Sequence, residues 1–217
     1  MAPAKSLIIY IHGFNSSSAS SKAQLFRNYV RNHELPCELW IPDLPVWPGE
    51  AAHMLLRRAL EASIGRPVHI IGSSLGGYYG IWLMENIIDH CPECPVKLVL
   101  INPVVRPCDL SEDYLGSWKN YHSGVEYELT REHVNQLRHL EVKTLSRPDN
   151  ILLLVQTGDE ILDYRQAVTR YAECPARIDE GGSHAYDCFD SAIPAVLQFL
   201  SAHYVAAVAL AEIACDE

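Results

Sequence analysis

Val68-His69-Ile70-Ile71-Gly72-Ser73-Ser74-Leu75-Gly76-Gly77-Tyr78 reads as a short apolar strand, a glycine-lined turn and the start of a helix. Gly72-Ser73-Ser74-Leu75-Gly76 matches G-x-S-x-G, the pattern that sets a serine on a sharp strand-to-helix turn. The β-branched residues Val68, Ile70 and Ile71 precede the turn. Leu75, Tyr78, Tyr79, Trp82, Leu83 and Ile87 follow at three- and four-residue spacing, the period of a buried helix face. A side chain at position 72 or 76 would collide with neighbouring backbone, and the turn strains the chain at Ser74. The hydroxyl is then exposed beside a helix N-terminus, whose free N–H groups favour negative charge. A dinucleotide-binding turn is excluded, because G-x-G-x-x-G requires glycine where Ser74 stands.

Outward from this turn the chain alternates strands and helices. Ser6–Ile11 is a buried strand ended by His12-Gly13-Phe14-Asn15. Ser21 to Gln24 has the form of a capping box, and Pro36 stops the helix it opens. Glu38–Ile41 is a second strand, Glu50–Ile64 a helix closed by Gly65, and Lys97–Ile101 a further strand. Ile151–Val155, a helix from Asp163 to Tyr171, a short strand Ala176–Ile178 and a helix from about Ile193 complete the series. This is the pattern of an α/β fold of three layers with a mainly parallel sheet of about six strands. In such sheets ligands bind beyond the carboxyl ends of the strands, so the turns at His12, Ser74, Asp159 and His184 should gather there.

Residues 104–150 interrupt the rhythm. The stretch is aromatic and polar, with one helix near Arg131–Leu140, and is expected to form a small cap on a single domain spanning residues 1–217. The tail, residues 205–217, carries no readable chemistry.

With 217 residues the chain can bury one sizeable core. Its 17 basic and 27 acidic residues give a formal charge of −10 and no basic stripe, which argues against nucleic acid or an anionic membrane as partner. No stretch is long and apolar enough to span a bilayer, and no leader is evident, so a cytoplasmic protein is expected. Seven cysteines without a framework fit free thiols. Cys91-x-x-Cys94 lacks a second ligand pair and follows a helix, so it is read as a loop, with no metal and no cofactor.

A serine hydroxyl needs a base, and the base an orienting acid. In the order Ser…Asp/Glu…His, the acid follows a late strand and the histidine comes last. His184, one of ten histidines, combines a late position with the glycine-rich loop Gly181-Gly182-Ser183. For the acid, Asp159 lies just beyond the strand Ile151–Val155; Asp163 doubles as a helix N-cap, and Glu160 is expected to point elsewhere. His12 is read as holding the loop after the first strand. His53, His133, His139 and His203 are read as surface or face residues of helices. The N–H groups of Leu75 and Phe14 are the expected oxyanion donors, with the Asn15 side chain as an alternative. Trp118 and Tyr121 are candidates for an acyl pocket or for ordinary packing of the cap.

On these residues the chain resembles the α/β-hydrolases, and more narrowly the small bacterial YqiA-like esterases. The resemblance is carried by Tyr10-Ile-His-Gly-Phe-Asn-Ser-Ser, Ile71-Gly-Ser-Ser-Leu-Gly-Gly-Tyr-Tyr, Ile101-Asn-Pro-Val-Val-Arg-Pro, Asp113-Tyr-Leu-Gly, Gln156-Thr-Gly-Asp-Glu-Ile-Leu-Asp-Tyr-Arg and Glu180-Gly-Gly-Ser-His-Ala. It implies a six-stranded core without the first two strands of larger hydrolases. It also implies Ser74 as nucleophile, Asp159 as acid, His184 as base, and action on acyl esters or thioesters without a cofactor. The tail after Tyr204 departs from the pattern. Two other readings stay open from sequence: a ligand-binding module on the same scaffold, and a peptidase, lipase or C–C hydrolase using the same three residues.

Overall fold

A computed structural model describes residues 5–107, 114–201 and 204. In chain order the elements are β1 (Ser6–Ile11), α1 (Ser21–Asn32), β2 (Cys37–Trp40), α2 (Pro48–Ser63), β3 (Val68–Ser73), α3 (Leu75–His90) and β4 (Val96–Ile101). They continue with β5 (Gly116–Lys119), β6 (Glu126–Leu129), α4 (Arg131–His139), β7 (Ile151–Gln156), α5 (Tyr164–Arg170), β8 (Ala176–Asp179) and α6 (Phe189–Leu200). Six strands form one parallel sheet in the order β2-β1-β3-β4-β7-β8.

Strands buried on both faces read as continuous apolar runs, because alternate side chains serve opposite layers. In β1, Leu7, Ile9 and Ile11 pack towards α2 and α3, whereas Ile8 and Tyr10 pack towards α1 and α6. β4 divides likewise, with Leu98 and Leu100 on the first face and Val99 and Ile101 on the second. Because β1 has β2 on one side and β3 on the other, the chain reverses its direction of travel across the sheet at β1. The crevice at that reversal lies between the ends of β1 and β3, where a ligand is expected in an open α/β sheet. His12 to Phe14 and Ser74 follow those two strands directly.

Several boundaries differ from the sequence reading. Ser20, not Ser21, is the N-cap of α1: the first helical bond runs from Gln24 N–H to Ser20 O at 2.9 Å, and the Gln24 amide donates to Ser18 O at 2.7 Å. α6 begins at Phe189, four residues before the expected Ile193. Phe189, Ile193, Val196 and Leu200 form one buried stripe, and that burial outweighs the backbone bond forfeited at Pro194. The insertion holds more than the expected helix. β5 and β6 pair as an antiparallel hairpin with Trp118 opposite Tyr127, and α4 follows at Arg131–His139. The hairpin turn is fixed by Asn120, whose Oδ1 accepts from His122 N–H at 3.0 Å and Ser123 N–H at 2.9 Å. The tail, residues 205–217, and His203 lie outside the described residues. Among the described residues no helix is long and apolar enough to cross a membrane.

Candidate active site

Ser74 sits between β3 and α3 with φ 55° and ψ −122°, a conformation that a non-glycine residue holds only when its surroundings impose it. Those surroundings are close backbone. A Cβ at Gly76 would lie 2.1 Å from Ile11 O, and one at Gly72 would lie 2.5 Å from Gly76 O. The strand, the turn and the first turn of α3 can therefore approach only as glycine. The serine hydroxyl is held above the sheet edge.

His184 and Asp159 reach it from the far loops. His184 Nε2 lies 3.0 Å from Ser74 Oγ, and His184 Nδ1 lies 2.9 Å from Asp159 Oδ2 and 3.1 Å from Oδ1. The Asp159 side chain is only 2% exposed, and its Oδ1 also accepts the N–H groups of Ile161 at 2.9 Å and Leu162 at 2.8 Å. Burial alone would raise the Asp159 pKa. The hydrogen bonds from His184, Leu162 and Ile161 outweigh it and hold the carboxyl below its ordinary range. Asp163 is the N-cap of α5, accepting from Arg165 N–H at 3.1 Å.

Glu160 does not point away as expected: its carboxylate accepts the His184 N–H at 2.9 Å. Three further residues that the sequence reading passed over hold the same loop. The Asn102 amide donates to Ser183 O at 3.0 Å and His184 O at 3.2 Å, while its oxygen accepts Gln156 N–H at 3.0 Å. Gln156 Oε1 accepts from Ser183 N–H at 3.1 Å and Asp187 N–H at 2.7 Å. Lys22 Nζ donates to Ala185 O at 2.7 Å, and burial lowers its pKa to about 8. A signal existed for two of them: Asn102 and Gln156 are polar residues ending buried strands, where an amide must find partners.

The opposite side of Ser74 is the loop after β1. A Cβ on Gly13 would stand 3.1 Å from Ser74 Cβ, so this loop lies against the serine. Among the described residues, neither the Phe14 nor the Leu75 N–H donates to an acceptor. His12 anchors the loop through Nδ1–H to Gly13 O at 2.9 Å, with Nε2 accepting Leu44 N–H at 3.3 Å. Burial depresses its pKa, which keeps the ring neutral and able to accept. The Asn15 side chain is committed elsewhere: its amide donates to Lys119 O at 3.1 Å and its oxygen accepts Tyr127 Oη–H at 3.2 Å. These bonds tie it to the hairpin and use one of its two amide N–H groups.

These residues open onto a cavity of about 590 Å³. Trp118 and Tyr121 both line it. The Trp118 ring meets Phe14 edge-on at 5.1 Å and stacks on Tyr114 at 5.7 Å. Tyr121 is 76% exposed, at the rim. His133, read from sequence as a surface or face residue of its helix, is on the buried face at 2% exposed. It stacks on Trp47 at 3.8 Å, accepts Thr130 N–H at Nδ1 and forms part of the cavity wall. His53 and His139 are exposed. Cys91 and Cys94 lie in the turn after α3, where Cys94 N–H donates to Cys91 O at 2.9 Å. Among the described residues no cluster of three or more His, Cys, Asp or Glu could hold a metal ion.

Residues 7–201 match UPF0227, described as an uncharacterised protein family, and the chain belongs to that family. Solved structures share the fold. A crystal structure of a protein from Agrobacterium vitis S4 superposes with a TM-score of 0.70 at 18% identity, covering 93% of this chain and 91% of that one. Mouse alpha/beta hydrolase domain-containing protein 10 gives 0.62 at 18% identity, covering 90% of each chain. A monoacylglycerol lipase of Paleococcus ferrophilus gives 0.64 at 16% identity, covering 91% of this chain and 94% of that one. At these identities they show the α/β-hydrolase fold.

Proposed function

We propose that this protein is a serine hydrolase that cleaves acyl esters or thioesters through an acyl-enzyme. The observation that carries this reading is the hydrogen-bonded series Ser74 Oγ, His184 and Asp159, with separations of 3.0 and 2.9 Å, at the wall of an apolar-sided cavity. Serine and histidine are within the reach needed for a general base to take the hydroxyl proton. Asp159, bonded to Nδ1, fixes the tautomer that leaves Nε2 free to accept, and stabilises the imidazolium that forms.

In the first half-reaction Ser74 Oγ bonds to the substrate carbonyl carbon while its proton passes to His184 Nε2. The carbonyl oxygen becomes an oxyanion, which the unpaired N–H groups of Phe14 and Leu75 stabilise at the helix N-terminus. The bond to the alcohol or thiol then breaks, and His184 returns its proton to that leaving group. Water repeats the sequence on the acyl-enzyme, with His184 again as base, and releases the acid. No cofactor is required. Structural neighbours that include a monoacylglycerol lipase and an α/β-hydrolase domain protein accord with this chemistry. The aromatic wall of Trp118, with Tyr121 at the rim, suits an apolar acyl group.

The test is hydrolysis of 4-nitrophenyl acetate and butyrate by wild type, Ser74→Ala and His184→Ala. Each variant should lose about 10³-fold or more in kcat/KM, retaining at most the residual rate given by oxyanion stabilisation and binding. Full activity in Ser74→Ala would remove Ser74 as nucleophile.

A further inference from the structure

The cavity crosses the carboxyl edge of the sheet, and its two flanks differ in chemistry. One flank, from the cap and the loop after β4, is mainly apolar: Val104, Leu129, Val134 and Leu137 line it, with the His133 ring beside them and His122 also on the cap. These lie with α4, which packs on α2 on one face of the sheet. The other flank comes from the start of α1, which packs with α6 on the opposite face. It presents Ser20, Ser21 and Lys22. Ser74 stands between the two flanks.

Charge is distributed just as unevenly. The chain has 27 acidic residues against 17 basic ones. Yet among the described residues no Asp or Glu lines the cavity, and Lys22 is the one Lys or Arg that does. The ammonium of Lys22 donates to the Ala185 carbonyl and makes no ion pair among the described residues. The nearby Asp159 carboxylate favours the charged ammonium but does not offset its burial, and its oxygens are bonded to His184 and two backbone N–H groups rather than to Lys22. Holding a carbonyl needs a donor but not a charge, and an ammonium half out of water is costly unless something anionic meets it. The depressed pKa of Lys22 reports that cost. Two of its three N–H donors remain for a ligand.

We infer that Lys22, with the hydroxyls of Ser20 and Ser21, forms the leaving-group side of the site and selects esters or thioesters whose alcohol or thiol portion carries an oxyanion, a carboxylate or a phosphate. The acyl group then occupies the apolar flank beneath the cap. This inference rests on the serine-hydrolase reading of the same cavity.

The experiment compares matched esters. On the leaving-group side these are 4-acetoxybenzoate and 4-acetoxyphenyl phosphate against uncharged 4-acetoxybenzamide. On the acyl side they are 4-nitrophenyl hemisuccinate against 4-nitrophenyl butyrate. Wild type should favour the anionic leaving groups by about tenfold in kcat/KM, the scale of one charge-assisted hydrogen bond. The better of the two anions identifies the carboxylate or the phosphate. A charge on the acyl side should bring no gain. Lys22→Gln, which keeps a donor for the Ala185 carbonyl, should bring the leaving-group ratio close to one, and Lys22→Arg should retain most of it. Three results overturn the inference: a wild-type ratio near one for both anions, a gain confined to the acyl side, or an equal loss on charged and neutral esters in Lys22→Gln. The first two need no variant to fold. Ser74→Ala on the same esters keeps the two claims apart. If it abolishes turnover while the Lys22 ratios stay flat, only the anion subsite falls.

Discussion

Two loops flank Ser74, and they are anchored to different parts of the molecule. The loop carrying His184 is held from below by amides at the ends of core strands: Asn102 on β4's exit and Gln156 at the end of β7. The loop carrying Phe14 is held from above by the cap. Asn15 bonds Lys119 and Tyr127, Asn120 donates to Ser16 O at 3.1 Å, and the Phe14 ring meets Trp118 and Tyr114 edge-on. His184 and Asp159 therefore depend on the sheet, whereas the candidate oxyanion donor depends on the insertion that also walls the cavity. Changing the core side should cost stability. Changing the cap side should cost turnover and alter specificity together.

The largest effect is expected from Asn102→Ala. It leaves Ser183 O, His184 O and Gln156 N–H without their partner in a buried site, at about 2–4 kcal/mol of stability. Denaturant unfolding should show the loss, and kcat should fall with it as His184 loses its support. A change in Tm no larger than that of a surface substitution would break the contrast.

Acid should act on the core side too. Burial lowers the His69 pKa to about 4, with Lys97 adding to the shift. An unfolded histidine binds its proton near pH 6.5, so between the two values the unfolded state holds more protons. Stability contributed by the neutral ring is therefore complete above about pH 6.5 and is lost as pH falls towards 4, by about 3 kcal/mol at most. His69→Phe should flatten that part of the stability–pH curve; an unchanged slope would count against it.

On the cap side the expected effect is smaller and of another kind. Asn15 has φ 54°, so Asn15→Gly keeps the backbone shape and removes the ties to Lys119 and Tyr127. About a tenfold drop in kcat with little change in KM is expected, the mark of a group that acts through the transition state, and Tm should shift less than in Asn102→Ala. A loss of stability equal to that of Asn102→Ala would erase the distinction. The smallest effect belongs to Trp118→Ala, which should move the preferred acyl length in a 4-nitrophenyl ester series by a few-fold in kcat/KM, at or below the low end of what one methylene in an apolar pocket is worth. An unmoved preference would leave Trp118 as packing for Phe14.

What the sequence made legible follows the same division. Ser74, Asp159 and His184 each sit just past a strand, in turns whose glycines and chain order can be read locally, and the alternation of strands and helices gave the sheet. The cap hairpin was not legible. Gly116–Lys119 and Glu126–Leu129 are short, half-exposed and mostly polar, and their pairing rests on contacts with the β1 loop more than a hundred residues away in the chain. The sequence reads His133 as a surface or face residue of its helix, and its four-residue spacing to Leu137 decides between the two by placing both on the buried face of α4. Glu160 and Lys22 act through single long-range bonds to the His184 loop, and no local pattern marks such partners.

The most direct measurement is the intact mass of the protein after reaction with a fluorophosphonate, followed by peptide mapping. One adduct on Ser74 in wild type, absent in Ser74→Ala and strongly slowed in His184→Ala, is the expected result. A wild-type protein that stays unlabelled, or that carries its adduct on another residue, would contradict the assignment of Ser74 as an activated nucleophile.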